Sequence, residues 1–441
     1  MPTKFKVLIA GGGPVGLTAA LALSKANIEF TLLEKRRQAV SNAGSDLVLS
    51  PIGLRALSQL GLYSELSAAS TPLGAIQRSD HEGNDLGQVK IFEYMQENFG
   101  EPPRVLPRRD LCQILWDRLP DPRNVICDKD ICQVKETAEG VTAICSDGSS
   151  YEADMIIGAD GVHSQVRAHI NRSSSRQVVD EKQEDREFFD AYYTCLWMRF
   201  SSEGLCAGST FETHGNGAST QMFVSPHHAV AGVYERLSEP IRAHRIFTGE
   251  DERALVSRWK DLPLSTDRTV TLGAAYNRRI ASGLVALQEG VHQTWSSGGR
   301  LVLVGDAAHV FTPITGAGCN NGILDVVVLV NELHSLLDAK NTKPDSEALR
   351  KAFDSYESFR KEKVMSECQT ATQVAATASW QSTLRRLADQ YLISLSWVQK
   401  LMMKHASAKI ASTPGFYFLP ADEHVHGKIL WRPSGFPANG R

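Results

Sequence analysis

The sequence predicts an α/β fold in which a helix-covered parallel sheet is interrupted by an antiparallel sheet and followed by a helical C-terminal region. Short apolar runs at Lys6 to Ala10, Met155 to Ile157 and Leu301 to Val304 are typical of parallel strands that are buried on both faces. Residues 186–285 contain longer β-rich segments, such as YYTCLWMRF, which indicate an inserted antiparallel sheet. Residues 345–410 are charged and have a helical pattern, which predicts the C-terminal helices.

Further elements complete the first sheet and its covering helices. The run from Phe30 to Leu33 indicates a second strand that ends at Glu34, so that residues 1–34 form a β-α-β unit. The tail from Ser412 is expected to pack as an irregular extension. Helices are predicted at Leu17 to Lys25, Pro51 to Leu60, Asp110 to Leu119 and Asn321 to Leu337.

Composition and charge narrow the class of protein. Hydrophobic residues make up 42% of the chain and charged residues 22%, as in soluble globular proteins, and the net charge of -3 indicates no general affinity for nucleic acid or anionic lipid. None of the cysteines lies in a C-x-x-C pair, so free buried thiols in a reducing, cytoplasmic compartment are expected. No apolar run reaches the roughly 20 residues that span a bilayer, which leaves peripheral membrane contact open.

A glycine motif directly follows the first strand. Gly11, Gly13 and Gly16 form G-x-G-x-x-G, which permits a tight turn, close approach of a pyrophosphate and close packing of helix on strand. Glu34 ends the second strand at the spacing where a carboxylate accepts hydrogen bonds from an adenosine ribose. These features predict dinucleotide binding by a Rossmann-type unit. The alternative is a glycine turn that only packs.

Two further motifs place aspartates directly after buried strands. GADGVHSQVR, from Gly158 to Arg167, contains Asp160. GDAAHVFTPITGAGCNNG, from Gly305 to Gly322, contains Asp306, whose carboxylate is suited to bind the ribityl hydroxyls of a flavin. The alternative interpretation of each aspartate is a helix cap or turn residue.

The glycine-rich end of the third motif is suited to a flat ring. Gly316 and Gly318 let the backbone approach such a ring closely. Asn320 and Asn321 are expected to cap the following helix, whose N-terminus would stabilise negative charge on a reduced flavin.

In this order, the three motifs resemble those of the group A FAD-dependent monooxygenases, which have the p-hydroxybenzoate hydroxylase fold. The resemblance extends from Lys6 to about Leu337 and more weakly beyond. The sequence is most similar to the paxilline-type indole-diterpene and meroterpenoid epoxidases. The segments that support this are LEKR (Leu33 to Arg36), PRRDL (Pro107 to Leu111), ALQEGVHQTW (Ala286 to Trp295) and FYFLPADEHVHGKILW (Phe416 to Trp431).

The order of the motifs predicts a division of the chain into six segments. FAD-binding parts are expected at residues 1–75, 103–185 and 286–340. The other segments are substrate-domain strands at 76–102, a substrate β-sheet domain at 186–285, and a C-terminal helical region with a tail at 341–441.

Five FAD contacts are implied by the resemblance. Val48 stands where a glycine is usual and Cys319 where a small residue is usual, so both contacts are expected to come from the backbone. Arg108 could equally be a surface arginine. The five residues are Glu34, Val48, Arg108, Asp306 and Cys319.

The implied activity is oxygen transfer. Hydride from NAD(P)H reduces FAD, reduced flavin and O2 give a C4a-hydroperoxide, and one oxygen passes to an alkene or aromatic ring by epoxidation or hydroxylation. Pro313 and the loop from Gly316 to Gly318 are expected to surround the peroxide. The resemblance favours a prenylated, terpenoid or indole-containing secondary metabolite as substrate, with phenol hydroxylation as the main alternative.

Two side chains are candidate catalytic residues. Strand alternation in YYTCLWMRF places Tyr193, Cys195, Trp197 and Arg199 on one face. The Tyr193 hydroxyl is suited to donate to a substrate oxygen, although it could be a core aromatic. Asp46 could orient a cationic substrate or accept its proton, or could be a solvated loop acid.

Three other functions remain open on the same fold. FAD could be structural in a protein that guides cyclisation, or the protein could reduce prenyl chains without incorporating oxygen. A prenyl-protein carrier that has lost flavin is a binding-protein alternative, but its GD and DG motifs would be eroded, and both are intact here.

Overall fold

The computed structural model describes residues 5–42, 44–175, 189–338 and 343–432. The predicted segment boundaries at 185/186 and 340/341 lie outside the described residues. The helices are α1 Pro14–Lys25, α2 Pro51–Gln59, α3 Tyr63–Ala69, α4 Ile91–Phe99, α5 Arg108–Asp117, α6 Gln165–Ser175, α7 Gly249–Trp259, α8 Leu272–Asn277, α9 Ala317–Asp338, α10 Ser346–Ala378, α11 Thr383–Tyr391 and α12 Ser396–Ala411. The strands are β1 Lys6–Ala10, β2 Glu29–Glu34, β3 Asp46–Leu49, β4 Thr71–Pro72, β5 Ile76–Asp80, β6 Asp85–Val89, β7 Arg104–Pro107, β8 Val125–Cys127, β9 Ile131–Glu136, β10 Val141–Cys145, β11 Ser150–Ala153, β12 Met155–Gly158, β13 Ala191–Ser201, β14 Thr210–Gly215, β15 Ala218–Val224, β16 His228–Ile241, β17 Arg279–Gln288, β18 Gly290–Val291, β19 Ser296–Ser297, β20 Leu301–Leu303 and β21 His309–Val310.

A six-stranded sheet forms the centre of the first domain, in the order β19-β20-β12-β1-β2-β8. Every neighbouring pair in it is parallel except β19 with β20. The three apolar runs predicted as buried strands are β20, β12 and β1, which lie side by side. Because parallel strands end at the same edge of a sheet, the three motifs that follow these strands meet at one edge.

A seven-stranded sheet, the roof sheet, has the order β17-β13-β16-β15-β14-β5-β6 and is antiparallel except where β14 pairs with β5. The predicted alternation along β13 is confirmed. Tyr193 and Cys195 pack with Ile314 on the face toward the first domain. Leu196 and Met198 face the other way and pack in a separate core that includes residues of α7 and α8.

The C-terminal region is helical, as predicted, and its tail is irregular. Helix α10 packs along α9, and α12 packs against α4. In the tail, the Gln59 side-chain amide donates to the carbonyl of Phe416 at 3.1 Å. Trp431 lies against Phe99, with ring centroids 4.8 Å apart. The tail therefore closes over helices from the N-terminal quarter of the chain.

Two predicted boundaries require correction. Helix α9 begins at Ala317 rather than at Asn321, because Gly316 adopts a left-handed φ of 64° and ends the preceding turn. Residues 76–102 are not all strands: β6 ends at Val89, and Ile91–Phe99 forms helix α4.

The thiols are all unpaired, but not all are buried. Cys132 and Cys206 are exposed, contrary to the expectation of buried thiols. Across the described parts of the chain, no helix has both the length and the apolar character needed to cross a bilayer.

Candidate functional site

The glycine turn after β1 has the tight geometry that its motif predicts. Gly11 has a φ of +100°, and a Cβ there would lie 2.6 Å from the Ala159 carbonyl oxygen. A Cβ on Gly16 would lie 1.9 Å from the Gly11 carbonyl oxygen. Side chains at either position would therefore collide with backbone, whereas Gly13 precedes α1 in an extended conformation. The N–H groups at the start of α1 remain suited to a phosphate.

Glu34 is buried at the end of β2 and already has protein partners. Its carboxylate accepts hydrogen bonds from the Gly12 N–H at 2.6 Å and from the Arg36 N–H at 2.9 Å. The side chain thus fixes the glycine turn. Each carboxylate oxygen can accept a further hydrogen bond, so ribose binding by Glu34 stays a prediction.

Arg108, at the start of α5, reaches the glycine turn from the other side. A Cβ on Gly13 would lie 3.1 Å from the Arg108 Nη2 atom. Burial raises the pKa values of Asp306 and Cys319, and the nearby charge of Arg108 offsets part of this increase in both. The structure therefore brings Arg108 together with the first and third motifs, which favours its predicted role over that of a surface arginine.

Asp160 fits both interpretations that the sequence left open, a helix cap and a residue of the cofactor site. One carboxylate oxygen accepts hydrogen bonds from the N–H groups of Gln165 at 2.8 Å and Val166 at 3.3 Å, which is a helix cap on α6. The other, Oδ1, is buried without a hydrogen-bond partner among the described residues. The Cα of Asp160 lies 2.9 Å from where a Gly11 Cβ would be. An unsatisfied oxygen beside the phosphate turn indicates a group that the protein itself does not supply.

Asp306 lies on the floor of a cleft. Its side chain is solvent-accessible, yet surrounding protein desolvates the carboxyl and raises its pKa. A Cβ on Gly318 would be 4.0 Å from the Asp306 Oδ1 atom. The carboxylate therefore faces the glycine-rich loop, as the flavin hypothesis requires.

A buried ion cluster supports the turn that carries Asp306. On α9, Asp325 accepts hydrogen bonds from the Gly305 N–H at 2.9 Å, from His309 Nε2 at 2.5 Å and from Arg360 Nε at 2.8 Å. Burial alone raises the pKa of Asp325, but the His309 and Arg360 charges outweigh it and hold the pKa below its usual value. No role was predicted for His309 from its sequence motif. The structure makes it part of the support for the GD turn.

Asn320 does not cap helix α9. Its side chain instead holds the loop that ends at Gly316 against strand β3 and the residue that follows it. The Asn320 side-chain amide donates to the carbonyls of Val48 and Gly316, both at 2.8 Å, and its oxygen accepts from the Ser50 N–H at 3.0 Å. The predicted capping role is wrong, because α9 starts three residues earlier. Any cofactor contact from Asn320 would have to come from its backbone.

The residues around this loop lie in the expected relation to one another. A Cβ on Gly316 would be 3.4 Å from the Val48 Cβ. Pro313 is exposed in the turn before Gly316. Cys319 lies in the first turn of α9, where burial raises the pKa of its thiol to about 12. A thiol with this pKa stays protonated at neutral pH, so the side chain is not a nucleophile here.

These features fit FAD. The glycine turn and the N-terminus of α1 suit the pyrophosphate, and Arg108 supplies a positive charge beside them. Asp306 and the unpartnered oxygen of Asp160 offer acceptors for the cofactor's hydroxyl and N–H groups. The loop from Gly316 to Gly318 leaves room for a ring.

A cavity of about 380 Å³ lies between the roof sheet and the turn that contains Pro313. Tyr193 lines this cavity, and its hydroxyl is hydrogen-bonded to Ser379 Oγ at 2.8 Å and to Gln381 Nε2 at 2.6 Å. Thr312, directly before Pro313, lines the same cavity. The structure therefore brings Tyr193 to a pocket beside the cleft, with its hydroxyl already oriented by two partners.

Asp46 lies instead in a buried ion cluster between the two domains. Its side chain is only 1% exposed. One carboxylate oxygen pairs with Arg199 of the roof sheet, and the other accepts from His228 Nε2 at 2.7 Å. Because both oxygens have cationic or potentially cationic partners, the geometry favours a link between domains over a proton acceptor. The catalytic role of Asp46 stays a prediction.

A polar chain on the inner face of the roof sheet was missed by the sequence analysis. Tyr234 donates to the Gln221 side chain at 3.1 Å. Gln221 donates to Glu212 at 2.7 Å and to the carbonyl of Ile314 at 2.9 Å. Ile314 lies in the loop of residues 312–318, which we term the cleft loop. Strand alternation places these residues on one face, but only the pairing of β14, β15 and β16 brings them into line.

The chain of polar side chains continues from Glu212 to His214, which is buried. Burial alone lowers the pKa of His214, but hydrogen bonds to Asp389 and Glu212 outweigh this effect and raise the pKa to about 9. A folded-state pKa above the ordinary 6.5 means that the imidazolium stabilises the fold fully below about pH 6.5, and that this contribution is lost as the pH rises through about 9.

The temperature at the midpoint of unfolding of the wild-type protein is therefore expected to decrease as the pH is raised from 6.5 to 9. In His214→Gln this decrease should be smaller. Thermal unfolding across this range measures it. His405→Gln, at an exposed histidine, is the matched control. Equal pH dependence in wild type and His214→Gln would show that the ion pairing contributes nothing.

The sequence matches the family model described as an FAD binding domain over residues 4–227 and 256–371. The FAD-dependent monooxygenase dpchE of Colletotrichum higginsianum (strain IMI 349063) is 31% identical over 403 residues, covering 88% of this chain and 84% of the relative. The FAD-dependent monooxygenase DEP2 of Alternaria brassicicola is 28% identical over 438 residues, covering 98% of this chain and 82% of the relative.

Solved structures share the fold. The HpxO protein of Klebsiella pneumoniae, complexed with FAD and uric acid, has a TM-score of 0.71 at 20% identity over 92% of this chain and 96% of its own. A salicylate hydroxylase substrate complex has a TM-score of 0.70 at 18% identity over 93% of this chain and 99% of its own. The predicted architecture is thus confirmed, and with the family match and the relatives it leads to one conclusion: the chain belongs to the FAD-dependent monooxygenases.

Proposed function

We propose that the protein uses NAD(P)H and O2 to transfer one oxygen atom to an alkene or aromatic ring of a secondary metabolite that is prenylated, terpenoid or indole-containing. The observation that carries this proposal is the cavity between the roof sheet and the cleft loop. Bound FAD, once reduced, supplies the activation of O2. The protein supplies position, electrostatics and exclusion of water.

The cavity suits a largely apolar substrate with a polar group. Leu237, Pro240 and Leu287 line it with aliphatic carbon, and its volume of about 380 Å³ lies in the range of small-molecule pockets. The charged side chains at its wall are Arg236 and Glu289. Glu289 accepts hydrogen bonds from Thr312 and Thr372, which tie the cleft loop to α10. A fungal origin of the relatives supports a role in secondary metabolism.

Mass spectrometry of products formed under isotopically labelled O2 tests this function. Candidate prenylated, terpenoid and indole substrates are supplied with NADH or NADPH. One labelled oxygen in the product is the expected result. Reductant consumption without label would indicate a reductase, and product formation without consumption of either would indicate a cyclisation scaffold with structural FAD.

Tyr193→Phe is expected to leave a folded, yellow protein that forms less product and diverts more NAD(P)H into hydrogen peroxide. The reason is that the Tyr193 hydroxyl, held by Ser379 and Gln381, is in position to hold a substrate polar group or a water in the cavity. The ratio of product to NAD(P)H consumed measures the coupling.

Tyr276→Phe serves as the control for loss of a hydroxyl, because Tyr276 lies in the core on the opposite face of the roof sheet. If Tyr193→Phe and Tyr276→Phe both retain wild-type coupling, Tyr193 has no role in the reaction and is a core aromatic.

A further inference from the structure

Eight large apolar side chains in one short stretch of the C-terminal region are exposed. Leu384 is 80% exposed, Tyr391 67% and Trp397 65%. Soluble monomers rarely display so many apolar side chains together unless the surface has a partner. The set, which we term the apolar patch, comprises Leu384, Leu387, Tyr391, Leu392, Leu395, Trp397, Leu401 and Met402.

Helix α11 has its apolar stripe on the outside. Leu384, Leu387 and Tyr391 are three and four residues apart and so share one face. The inward position is taken by Asp389, which is fully buried and pairs with Arg78 at 2.6 Å and with His214. A buried ion pair thus fixes the orientation of the helix, and the apolar stripe cannot turn inward without breaking it.

Helix α12 continues the patch. Gln399, Met403 and Ser407 are buried against the protein, and the Gln399 amide donates to the carbonyl of Gln88 on β6 at 2.8 Å. Trp397 and Leu401, four residues apart, lie on the outer side. Both helices are therefore held rigidly from behind while their apolar side chains face solvent.

The segment that carries the patch has a net positive charge. Residues 383–411 contain five basic side chains and a single acid, the buried Asp389, in a chain whose net charge is -3. Of the carboxylates nearby, Glu97 is already paired with Lys428. The exposed basic residues are Arg386, Lys400, Lys404 and Lys409.

We propose that the apolar patch docks this enzyme on the surface of a bilayer that contains anionic phospholipid. Leucine, tryptophan and tyrosine side chains with lysine and arginine at their margins have the chemistry of an interfacial helix, in which apolar groups enter the headgroup boundary and cations meet phosphate. A second copy of the chain fits less well, because an isologous dimer through this face would bring two basic surfaces together.

The patch adjoins the candidate substrate cavity. Gln381, which lines the cavity, is exposed and lies three residues before Leu384. Tyr192, at the same cavity, is 55% exposed. Docking through α11 and α12 places the cavity beside the lipid, where an apolar substrate would partition. The docking itself does not depend on the proposed substrate class.

Co-sedimentation of the full chain, loaded with FAD, tests the proposal. The vesicles are phosphatidylcholine alone or phosphatidylcholine with one third phosphatidylserine. Binding is expected to the anionic vesicles and to weaken as salt rises. Leu384→Ser with Trp397→Ser should reduce the partition coefficient about tenfold or more. Lys400→Glu with Lys404→Glu should reduce binding about tenfold on anionic vesicles only.

Ile246→Ser with Ile280→Ser is the matched control, because these isoleucines are as exposed as Leu384 and Trp397 but lie elsewhere, in the segment between β16 and α7 and in β17. Unchanged vesicle binding in the patch variants, or the same loss in the control, would overturn the proposal. So would concentration-dependent dimers in light scattering that the patch variants abolish without any vesicle binding, since a second copy would then cover the patch.

Discussion

Gly13→Leu is expected to yield a folded protein that purifies without yellow colour. The added side chain enters the space where a pyrophosphate approaches the backbone. Its Cβ would meet only the end of the Arg108 side chain, at 3.1 Å, and that flexible group can move aside. The fold should therefore survive while FAD binding is lost. The ratio of flavin absorbance to protein absorbance, together with circular dichroism, measures the outcome.

Two neighbouring variants distinguish this effect from general damage. Gly16→Ala places a Cβ 1.9 Å from a backbone oxygen, so it should unfold the domain as well as remove the flavin. Asp306→Ala should weaken FAD binding without abolishing it, because it removes one polar contact from a site that keeps the phosphate turn. Retention of stoichiometric FAD by Gly13→Leu would contradict the assignment of the turn to the pyrophosphate.

Asp325→Ala is expected to lower the free energy of unfolding by about 3–5 kcal/mol. Removing the carboxylate leaves the Arg360 guanidinium, 2% exposed, without its counter-charge, and it also leaves the Gly305 N–H and His309 without their acceptor. Since Gly305 precedes Asp306, FAD affinity should fall too. Urea unfolding and flavin titration measure the two effects.

Asp354→Ala is the control for an ion pair at the surface. Its pair with Arg350 is 55% exposed on both sides, so this change should cost less than about 1 kcal/mol. The double variant Asp325→Leu/Arg360→Met lacks both buried charges. Its free energy of unfolding should be higher than that of Asp325→Ala, although the Gly305 turn still lacks the support of Asp325. If Asp325→Ala costs no more than Asp354→Ala, the cluster does not stabilise the fold.

Local patterns predicted the parts of the site that depend on local geometry. A strand, a glycine turn and a helix succeed one another within a few residues, so the turn at Gly11 and the strands before Asp160 and Asp306 could be found from the sequence. Their meeting at one sheet edge follows from the rule for parallel strands. The FAD contacts of Val48, Arg108 and Cys319 came from the resemblance, whereas those of Glu34 and Asp306 were also indicated by spacing and position. All five remain predictions.

Contacts between distant residues could not be predicted in this way. Asn320 has the composition of a cap, but its amide is used by Val48, which is 272 positions away. Asp46 was predicted to be a catalytic candidate or a solvated loop acid, whereas its partners Arg199 and His228 are determined by how the roof sheet sits on the first domain. Helix α11 shows a helical pattern, yet pattern alone assigns its apolar stripe to the interior, and the buried Asp389 reverses that choice.

The strand order of the six-stranded sheet has a consequence for synthesis on the ribosome. Strand β12 pairs on one side with β1, which emerges before it, and on the other with β20, where Ile156 pairs with Leu301. At a translation rate of about 5–20 residues per second, the second side of β12 stays open for on the order of ten seconds while the roof strands emerge. An open apolar strand edge invites pairing with other chains. The strand order therefore leaves one apolar edge of β12 unpaired during translation until Leu301–Leu303 has emerged to cover it.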